Sequence, residues 1–401
     1  MRTMLRLLAL TATVLLACGG DDGSESETGS ESEGEAEAES EAEAESESES
    51  EAEAESESEA EAESESESES EAECENPLCP GGVLEGSYTI ENSDDAAGLA
   101  CCTTITGDLE YNATLTALNL PVLASVAGGL YIFDNATLTA LDLPVLASIG
   151  GGLDIRYNPM LTALDLPVLA SVGDYLTISD NATLTALDLP ALASVGGGLY
   201  ISNNAAVTAL DLPVLASIGD DLRINDSFAL TTLDLPVLAS VGDYVDIIGN
   251  DALTSLGFSA LTSVGGYLTI NANAGVTALD LPVLATIGGD LYVFNNAGVT
   301  ALDLPALASV GGYLNISFND ALTSLDLSVL TSVGGELTIN ANDALTALDL
   351  STLALVGGDF YIFNNANLSQ CVVEEIRDQL LAAGFTGYVS ISGNDDSGAC
   401  P

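Results

Sequence analysis

The chain contains no histidine, no lysine and no tryptophan, and its only basic residues are five arginines. Without histidine it cannot form Ser-His-Asp or Cys-His catalytic groups or histidine metal sites. Contacts to phosphates depend on lysine and arginine, so this shortage among 401 residues also argues against nucleic acid as a partner. The 62 acidic residues give a formal net charge of −57.

Cysteine is absent from the middle of the chain, between Cys102 and Cys371. Apart from Cys18, the cysteines lie near the two ends of the region after residue 73, at Cys74, Cys79, Cys101, Cys102, Cys371 and Cys400. An even number in an oxidising compartment predicts disulfides, with Cys371 and Cys400 as the most natural pair. Zinc binding is the alternative for the first four cysteines, but the lack of histidine and the predicted export argue against it. We expect no metal centre there.

Residues 1–18 have the features of a secretory signal. The apolar run from Leu7 to Leu16 follows Arg2 and Arg6 and is too short to remain as a transmembrane helix. The sequence Leu-Leu-Ala-Cys at its end resembles the lipobox of bacterial lipoproteins, which implies lipidation of Cys18; a signal peptide that ends there by chance is the alternative. Because Gly19 rather than Asp follows, the resemblance implies membrane anchoring in the bacterial cell envelope, at the outer membrane or cell surface.

Residues 19–73 are an acidic low-complexity segment. Glu occupies every odd position from Glu31 to Glu73, with Ser, Ala or Gly between. Alternating like charges repel each other, and nothing larger than Ala is available to bury in this part, so we expect a disordered linker that acts as a stalk. A cation-binding tail is the alternative.

The rest of the chain is organised by a repeat, of which residues 161–183 are one copy, LTALDLPVLASVGDYLTISDNAT. We take the first residue of each Leu-x-Ile pair as the origin of a unit. From Leu130 onward the step between origins is 23 residues, and the first step is 21. The origins are Leu109, Leu130, Leu153, Leu176, Leu199, Leu222, Val245, Leu268, Leu291, Leu314, Leu337 and Phe360.

Apolar residues within a unit are separated by two or three positions, which no helical stripe explains. Short strands joined by tight turns explain this spacing, so we predict an all-β protein, a right-handed parallel β-solenoid of about twelve 23-residue coils. We place an N-terminal cysteine-rich cap at residues 74–108, the solenoid at 109–366 and a C-terminal cap at 367–401. Ser369 is predicted to cap a helix that ends at Gly384, before a final strand at residues 388–391.

Two polar columns are predicted to be structural. An Asn lies five residues after each origin from Leu130 onward, with Ser227 as the exception, and we expect these side chains to bond the backbone of neighbouring coils. A Gly lies three residues before each origin from Leu153 onward, where we expect a turn with positive φ. The Asn column is Asn135, Asn158, Asn181, Asn204, Asn250, Asn273, Asn296, Asn319, Asn342 and Asn365; the Gly column is Gly150, Gly173, Gly196, Gly219, Gly242, Gly265, Gly288, Gly311, Gly334 and Gly357.

The pattern Gly-x-Leu-x-Ile-x-x-Asn-x-x-Leu-x-x-Leu resembles the receptor L-domain, the leucine-rich-repeat-like β-helix of insulin and growth-factor receptor ectodomains. The resemblance covers residues from about Cys101 to Cys400. It implies the solenoid fold and an extracellular, non-enzymatic recognition scaffold, but it implies no particular ligand.

A column of aspartates lies twelve residues after the origins and is expected to face solvent, since leucines flank each position. Calcium bound between coils would relieve the repulsion within this column; screening by salt is the simpler explanation. The column is Asp142, Asp165, Asp188, Asp211, Asp234, Asp280, Asp303, Asp326 and Asp349, with Gly257 in one coil.

Aromatic residues and two arginines occupy the variable positions beside the Leu-x-Ile pairs, one before, one after and three after the origin. These residue types are typical of binding hot spots, although tyrosine and phenylalanine are also good strand residues. The ligand-binding candidates are Tyr131, Phe133, Arg156, Tyr175, Tyr200, Arg223, Tyr244, Tyr267, Tyr292, Phe294, Tyr313, Tyr361 and Phe363.

The sequence therefore favours a non-enzymatic cell-surface recognition or adhesion protein that binds a glycan or a surface protein. A passive structural or calcium-binding envelope component is the alternative. A polysaccharide-active β-helix enzyme is less well supported, because Arg156 and Arg223 lie three coils apart and cannot share a site.

Overall fold

The computed structural model describes residues 77–397. The predicted signal peptide with Cys18, the predicted linker, Cys74 and Cys400 lie outside the described residues.

The described chain winds through three parallel sheets, and each coil from Thr104 to Phe363 adds one short strand to each sheet, except that the last coil ends before the third sheet. We name the sheets by their sequences. The Leu-x-Ile sheet has 14 strands: Tyr88–Ile90, Leu109–Tyr111, Leu130–Phe133, Leu153–Arg156, Leu176–Ser179, Leu199–Ser202, Leu222–Asn225, Val245–Ile248, Leu268–Asn271, Leu291–Phe294, Leu314–Ser317, Leu337–Asn340, Phe360–Phe363 and Val389–Ser390. The Ser-Val sheet has 13 strands: Val83–Leu84, Thr104–Ile105, Ser125–Val126, Ser148–Ile149, Ser171–Val172, Ser194–Val195, Ser217–Ile218, Ser240–Val241, Ser263–Val264, Thr286–Ile287, Ser309–Val310, Ser332–Val333 and Leu355–Val356.

The third sheet, the Ala-Leu-Asp sheet, is divided into parts of four and seven strands. The strands are Ala117–Asn119, Ala140–Asp142, Ala163–Asp165 and Ala186–Asp188, and then Ala209–Asp211, Thr232–Asp234, Ser255–Gly257, Ala278–Asp280, Ala301–Asp303, Ser324–Asp326 and Ala347–Asp349. The predicted parallel solenoid with a 23-residue register is therefore confirmed, since Leu153 pairs with Leu176 and each later coil repeats the step.

The core is a continuous column of aliphatic side chains inside the coils. In the coil that starts at Leu130, the seven apolar residues of the repeat are all buried: Leu130, Ile132, Leu138, Leu141, Leu143, Leu146 and Ile149. Alternate residues of each strand point outward, so the strand Leu199–Ser202 buries its first and third residues and leaves its second and fourth half-exposed. The outer positions are consequently free to vary without disturbing the core.

The predicted asparagine ladder is confirmed. Asn158 is fully buried, and its Nδ2 donates to the carbonyl of Ile132 in the preceding coil at 3.0 Å. Its backbone N–H donates to Oδ1 of Asn181 in the next coil at 3.1 Å. Asn394 extends the ladder after the C-terminal helix, because its Oδ1 accepts from the backbone N–H of Asn365 at 3.2 Å. Each coil thereby satisfies buried polar groups of its neighbours.

The explanation predicted for the glycine column is wrong. None of these glycines has a φ angle in the left-handed region. They are required instead because neighbouring coils approach closely at this corner. A Cβ added to Gly196 would overlap the carbonyl oxygen of Gly173, and the same overlap recurs along the column.

Positive φ angles occur instead four residues after each origin from Leu130 onward, where the chain leaves the Leu-x-Ile sheet. Asn, Asp, Gly or Ala occupies most of these positions, and Asn, Asp and Gly tolerate this conformation best. Two bulky exceptions are Tyr157 and Phe318, both with a φ of 57°. The column is Asp134, Tyr157, Asp180, Asn203, Asp226, Gly249, Ala272, Asn295, Phe318, Ala341 and Asn364.

A threonine ladder that was not predicted from the sequence lies at the turn directly before the strands of the Ala-Leu-Asp sheet. The hydroxyl of Thr185 donates to the carbonyl of Thr162 at 3.1 Å, and that of Thr300 donates to Thr277 at 3.0 Å. These threonines are exposed, and their hydroxyls connect successive coils.

Both ends of the described solenoid have additional elements. A 3-10 turn at Pro80–Gly82 and the helix Ser93–Gly98 (α1) lie at the N-terminal end. The helix Gln370–Ala382 (α2) follows the last full coil and buries Val373, Ile376 and Leu380. Ser369 is the N-cap residue of α2, but its side chain makes no capping hydrogen bond, contrary to the prediction. Gly384 has a φ of 95°, as expected for a helix-ending glycine.

A disulfide joins Cys79 to Cys102, with their Cα atoms 5.4 Å apart. This confirms a disulfide at the N-terminal end and leaves neither sulfur available as a thiolate ligand for zinc. Cys101 and Cys371 are disulfide-bonded as well. The pairing of Cys371 with Cys400 remains a prediction.

The gap in the asparagine ladder provides a stability test. Ser227 is buried, and its backbone N–H donates to Oδ1 of Asn250 at 3.0 Å, but it has no side-chain amide to pass the ladder on to the preceding coil. Its hydroxyl lies 3.5 Å from the carbonyl of Asn225. In S227N the new amide would reach the carbonyl of Ile201 and the N–H of Asn204. We expect the free energy of unfolding to rise by about 1–2 kcal/mol.

The variant N250S opens a second gap and should lower the free energy of unfolding by about 1–3 kcal/mol in the same denaturant titration. An unchanged or lower value for S227N would contradict the ladder's role in stability.

The close approach at the glycine column predicts that G196A is strongly destabilising. The new methyl group must push two coils apart, at a cost of about 1–3 kcal/mol. The control is G98A in α1, where the nearest side-chain atom, Cδ2 of Leu78, would lie 3.4 Å away. Chemical denaturation followed by circular dichroism should show a lower midpoint for G196A only. Equal midpoints for the two variants would refute the steric explanation.

Candidate functional site

All thirteen ligand-binding candidates lie on the outer face of the Leu-x-Ile sheet. Tyr131, Tyr200, Arg223, Tyr292 and Tyr361 occupy the row one residue after the origin, and the others occupy the rows on either side of it. Most of these side chains are half-buried against one another, while Phe133 and Tyr313 are exposed. The face has three zones with different chemistry.

The first zone surrounds Arg156. Its guanidinium forms a bidentate pair with the carboxylate of Asp154, through Nε to Oδ1 and Nη2 to Oδ2, each at 2.5 Å. Asp154 is buried beneath this pair. The pair neutralises Arg156, and the shared hydrogen bonds raise the pKa of the guanidinium. Arg156 is therefore committed to an internal contact.

The second zone is centred on Arg223, which lies between two tyrosine rings. Its Cζ is 5.8 Å from the ring centroid of Tyr200 and 5.2 Å from that of Tyr244. Nη2 donates to the hydroxyl of Tyr244 at 2.6 Å. Nε lies 3.6 Å from Oδ2 of the buried Asp246, too far for a hydrogen bond, and it donates to no acceptor. Charge attraction and cation–π contacts hold this residue.

The tyrosines of the second zone continue the stack. The rings of Tyr244 and Tyr267 are parallel to within 1°, with centroids 4.7 Å apart. Tyr200 donates its hydroxyl proton to Asp221 at 2.8 Å, and Tyr267 donates to Asp246 at 3.3 Å. Burial, followed by the nearby carboxylates, raises the pKa of Tyr200 and raises that of Tyr267 to about 12. Apart from Nε of Arg223, the side-chain polar groups described in this zone hydrogen-bond one another.

Glycines shape the first two zones. A Cβ added to Gly198 would overlap the ring of Tyr200, and one added to Gly152 would come within 2.8 Å of the ring of Tyr175. The rings therefore lie across positions where any other residue would displace them. These glycines allow the tyrosines to pack flat against the sheet.

The third zone contains a cavity of about 300 Å³. It lies over three adjacent coils, at a place where small side chains interrupt the aromatic surface. The lining residues are Thr269, Tyr292, Phe294, Asn315, Ser317 and Phe318. The rings of Tyr292 and Phe294 meet edge to face at 6.5 Å, and the hydroxyl of Tyr292 donates to Asp290 at 3.0 Å. Burial, followed by Asp290, raises the pKa of Tyr292 to about 12.

Several residues of this face were not among the candidates predicted from the sequence. Asp154 and Asp246 were not candidates, although an Asp beside an outward-facing Arg, in the same strand or the next coil, was a usable signal. Thr269, Asn315, Ser317 and Phe318 were missed because the cavity depends on small residues beside aromatic ones. Phe318 could have been found, since most coils have Asn, Asp, Gly or Ala at its position.

The aspartate column lies exposed along the Ala-Leu-Asp sheet, where Asp142, Asp165 and Asp188 pair in register. Ser328 and Ser351 donate their backbone N–H groups to Asp326 and Asp349 at 2.9 and 2.8 Å. Where proline occupies the corresponding position, this bond cannot form. Within residues 77–397, no group of three or more Cys, Asp or Glu residues is arranged to hold a metal ion.

No helix among the described residues is long and apolar enough to cross a membrane. A comparison with protein-family models gave no match, and searches of curated proteins and of solved structures gave none. The sequence and the solenoid geometry therefore provide the evidence for function.

Removing the guanidinium of Arg223 should destabilise the fold, because it leaves Asp246 buried without its cation. Burial already raises the pKa of Asp246, and Arg223 opposes this rise. A raised carboxyl pKa favours the folded state at low pH, and that contribution is lost as the pH rises through the folded-state pKa. We therefore expect R223A to lose about 1–3 kcal/mol at neutral pH and less in acid.

The control for R223A is R377A, which removes an arginine paired with the exposed Asp378. It should change the free energy of unfolding by less than about 1 kcal/mol. Denaturant titrations at neutral and acid pH provide the measurement. A loss for R223A that is equal at both pH values would show that the effect does not come from Asp246.

Proposed function

We propose that this protein is a non-enzymatic cell-surface recognition or adhesion protein whose binding surface is the outer face of the Leu-x-Ile sheet. A lipid at Cys18 would anchor it in the bacterial cell envelope, and residues 19–73 would hold the solenoid away from the membrane. The ligand would be a glycan or a surface protein.

The observation that carries this proposal is the concentration of aromatic side chains and two arginines on one outer face. Stacking between coils accounts for the constant Asn, Gly and Leu positions of the repeat, but it places no such demand on the residues beside the Leu-x-Ile pairs. Those residues include Phe133 and Tyr313, large aromatic side chains that remain exposed. Exposed aromatic residues on a rigid scaffold supply contact area at a small entropic cost.

The resemblance to the receptor L-domain supports the same proposal, because those modules are extracellular recognition scaffolds. This support concerns the scaffold and not the ligand. The in-register aspartate column is the observation that favours the second candidate function, a structural or calcium-binding envelope component.

The test is a binding screen of the full chain against glycans and envelope fractions, with and without calcium. A face variant carries F294S, Y313S and F363S. The matched control carries V145S, V168S and V214S, which remove apolar residues with exposures of 41%, 42% and 44% away from this sheet. Matching melting curves must first show that both variants fold.

We expect the wild-type chain and the valine variant to bind the same ligand and the face variant to lose at least about tenfold in affinity. Binding that both variants retain would place the binding surface elsewhere. An absence of any ligand in the screen, or binding that requires calcium and survives in the face variant, would favour the structural alternative.

A further inference from the structure

We propose that the cavity lined by Tyr292, Phe294 and Phe318 is a subsite for one uncharged pyranose ring of a glycan. This inference rests on the proposed recognition function and narrows its ligand to a neutral sugar.

The size and the aromatic walls of the cavity fit one sugar ring. Its volume of about 300 Å³ lies at the small end of the range for ligand pockets. Tyr292, Phe294 and Phe318 provide aromatic surface, while the buried side chains of Thr269 and Ser317 are short and leave the space open. A cavity of this kind accommodates a single ring better than a peptide helix or a strand.

The polar groups of the cavity can hydrogen-bond the hydroxyl groups of a sugar. Asn315 and Ser317 lie on one strand, and the Ser317 hydroxyl donates to Oδ1 of Asn315 at 2.5 Å, which fixes the amide. The hydroxyl of Thr269 is hydrogen-bonded to the buried Asp246, and its oxygen can still accept a hydrogen bond from a ligand. Amides and hydroxyls both donate and accept, which suits the hydroxyl groups on the rim of a sugar, and aromatic faces suit its C–H groups.

Charge excludes the acidic sugars and phosphates. No arginine lines the cavity, and both arginines of the face are paired with aspartates elsewhere. The neighbouring charged groups are all carboxylates. Asp290 accepts a hydrogen bond from the hydroxyl of Tyr292, the charge of Glu336 contributes to the raised pKa of Tyr292, and Asp246 is hydrogen-bonded to the side chain of Thr269. An anionic ligand would face repulsion without a compensating cation.

Phe318 has an unfavourable backbone conformation and an exposed ring. Its φ of 57° costs about 1–3 kcal/mol for a bulky residue, and the side chain is still 51% exposed. Packing within the fold does not account for an aromatic residue there, because most coils use Asn, Asp, Gly or Ala at this position. Tyr157 has the same φ and exposure, but only Phe318 lines the cavity, so a ligand bound there would contact the ring of Phe318.

The experiment compares F318N with Y157N. Both replace an aromatic residue with a φ of 57° and an exposure of 51%, and both introduce a residue that the same column already contains. Neither variant should be less stable than the wild type, because Asn tolerates this conformation better. Only Phe318 lines the cavity.

The probes are the methyl pyranosides of glucose, galactose and mannose, with methyl glucuronide as the acidic counterpart. Saturation-transfer NMR on the full chain should detect at least one neutral glycoside and not the glucuronide. F318N should weaken binding at least about tenfold, whereas Y157N should change it less than about twofold. A second variant, N315L, should also weaken binding because it removes the fixed amide.

Absence of binding by all neutral glycosides, equal effects of F318N and Y157N, or preferred binding of the glucuronide would each overturn the sugar subsite. The recognition function is judged separately. If the face variant F294S, Y313S and F363S loses an envelope ligand while no glycoside binds, the face is a binding surface for another class of ligand. If neither binds, both proposals fail.

Discussion

The structure depends on the close contact of each coil with the next in a register that is constant from Leu130 onward. Ten glycines allow the backbone of one coil to rest on the carbonyl oxygens of the coil before it, and the buried asparagines connect coils through side-chain amides. Because every coil must fit two neighbours, a substitution at these positions affects three coils at once. This constraint explains why the repeat holds its 23-residue step from Leu130 to Phe360.

The same constraint leaves the outer face of the Leu-x-Ile sheet free to diversify. In the first two zones the polar groups are used internally: Arg156 pairs with Asp154, and Arg223 lies between Tyr200 and Tyr244 near Asp246. These contacts link neighbouring outer positions and make that part of the face rigid. The third zone differs because its aromatic rings surround a cavity. This difference between the zones sets the cavity apart as the part of the face proposed to bind a ligand.

Much of the fold followed from the sequence because the information was repeated. Apolar spacing identified the coils, and the asparagine column identified the ladder, since twelve similar units average out local exceptions. Several features did not follow, and three of them have a clear physical reason. The glycine column was assigned to positive φ because the distance between coils cannot be read from a single strand. Asn394 was missed because α2 displaces it to 29 residues after Asn365. The cavity was missed because it arises from the relative sizes of side chains on three coils.

The measurement that tests the central claim most directly is a crystal structure of the full chain with a bound neutral methyl pyranoside. The account predicts coils stacked in the 23-residue register and a sugar ring against Phe318 and Tyr292, with its hydroxyl groups near Asn315. A sugar on the Ala-Leu-Asp sheet, or a structure in which other coil contacts replace the asparagine ladder, would contradict it.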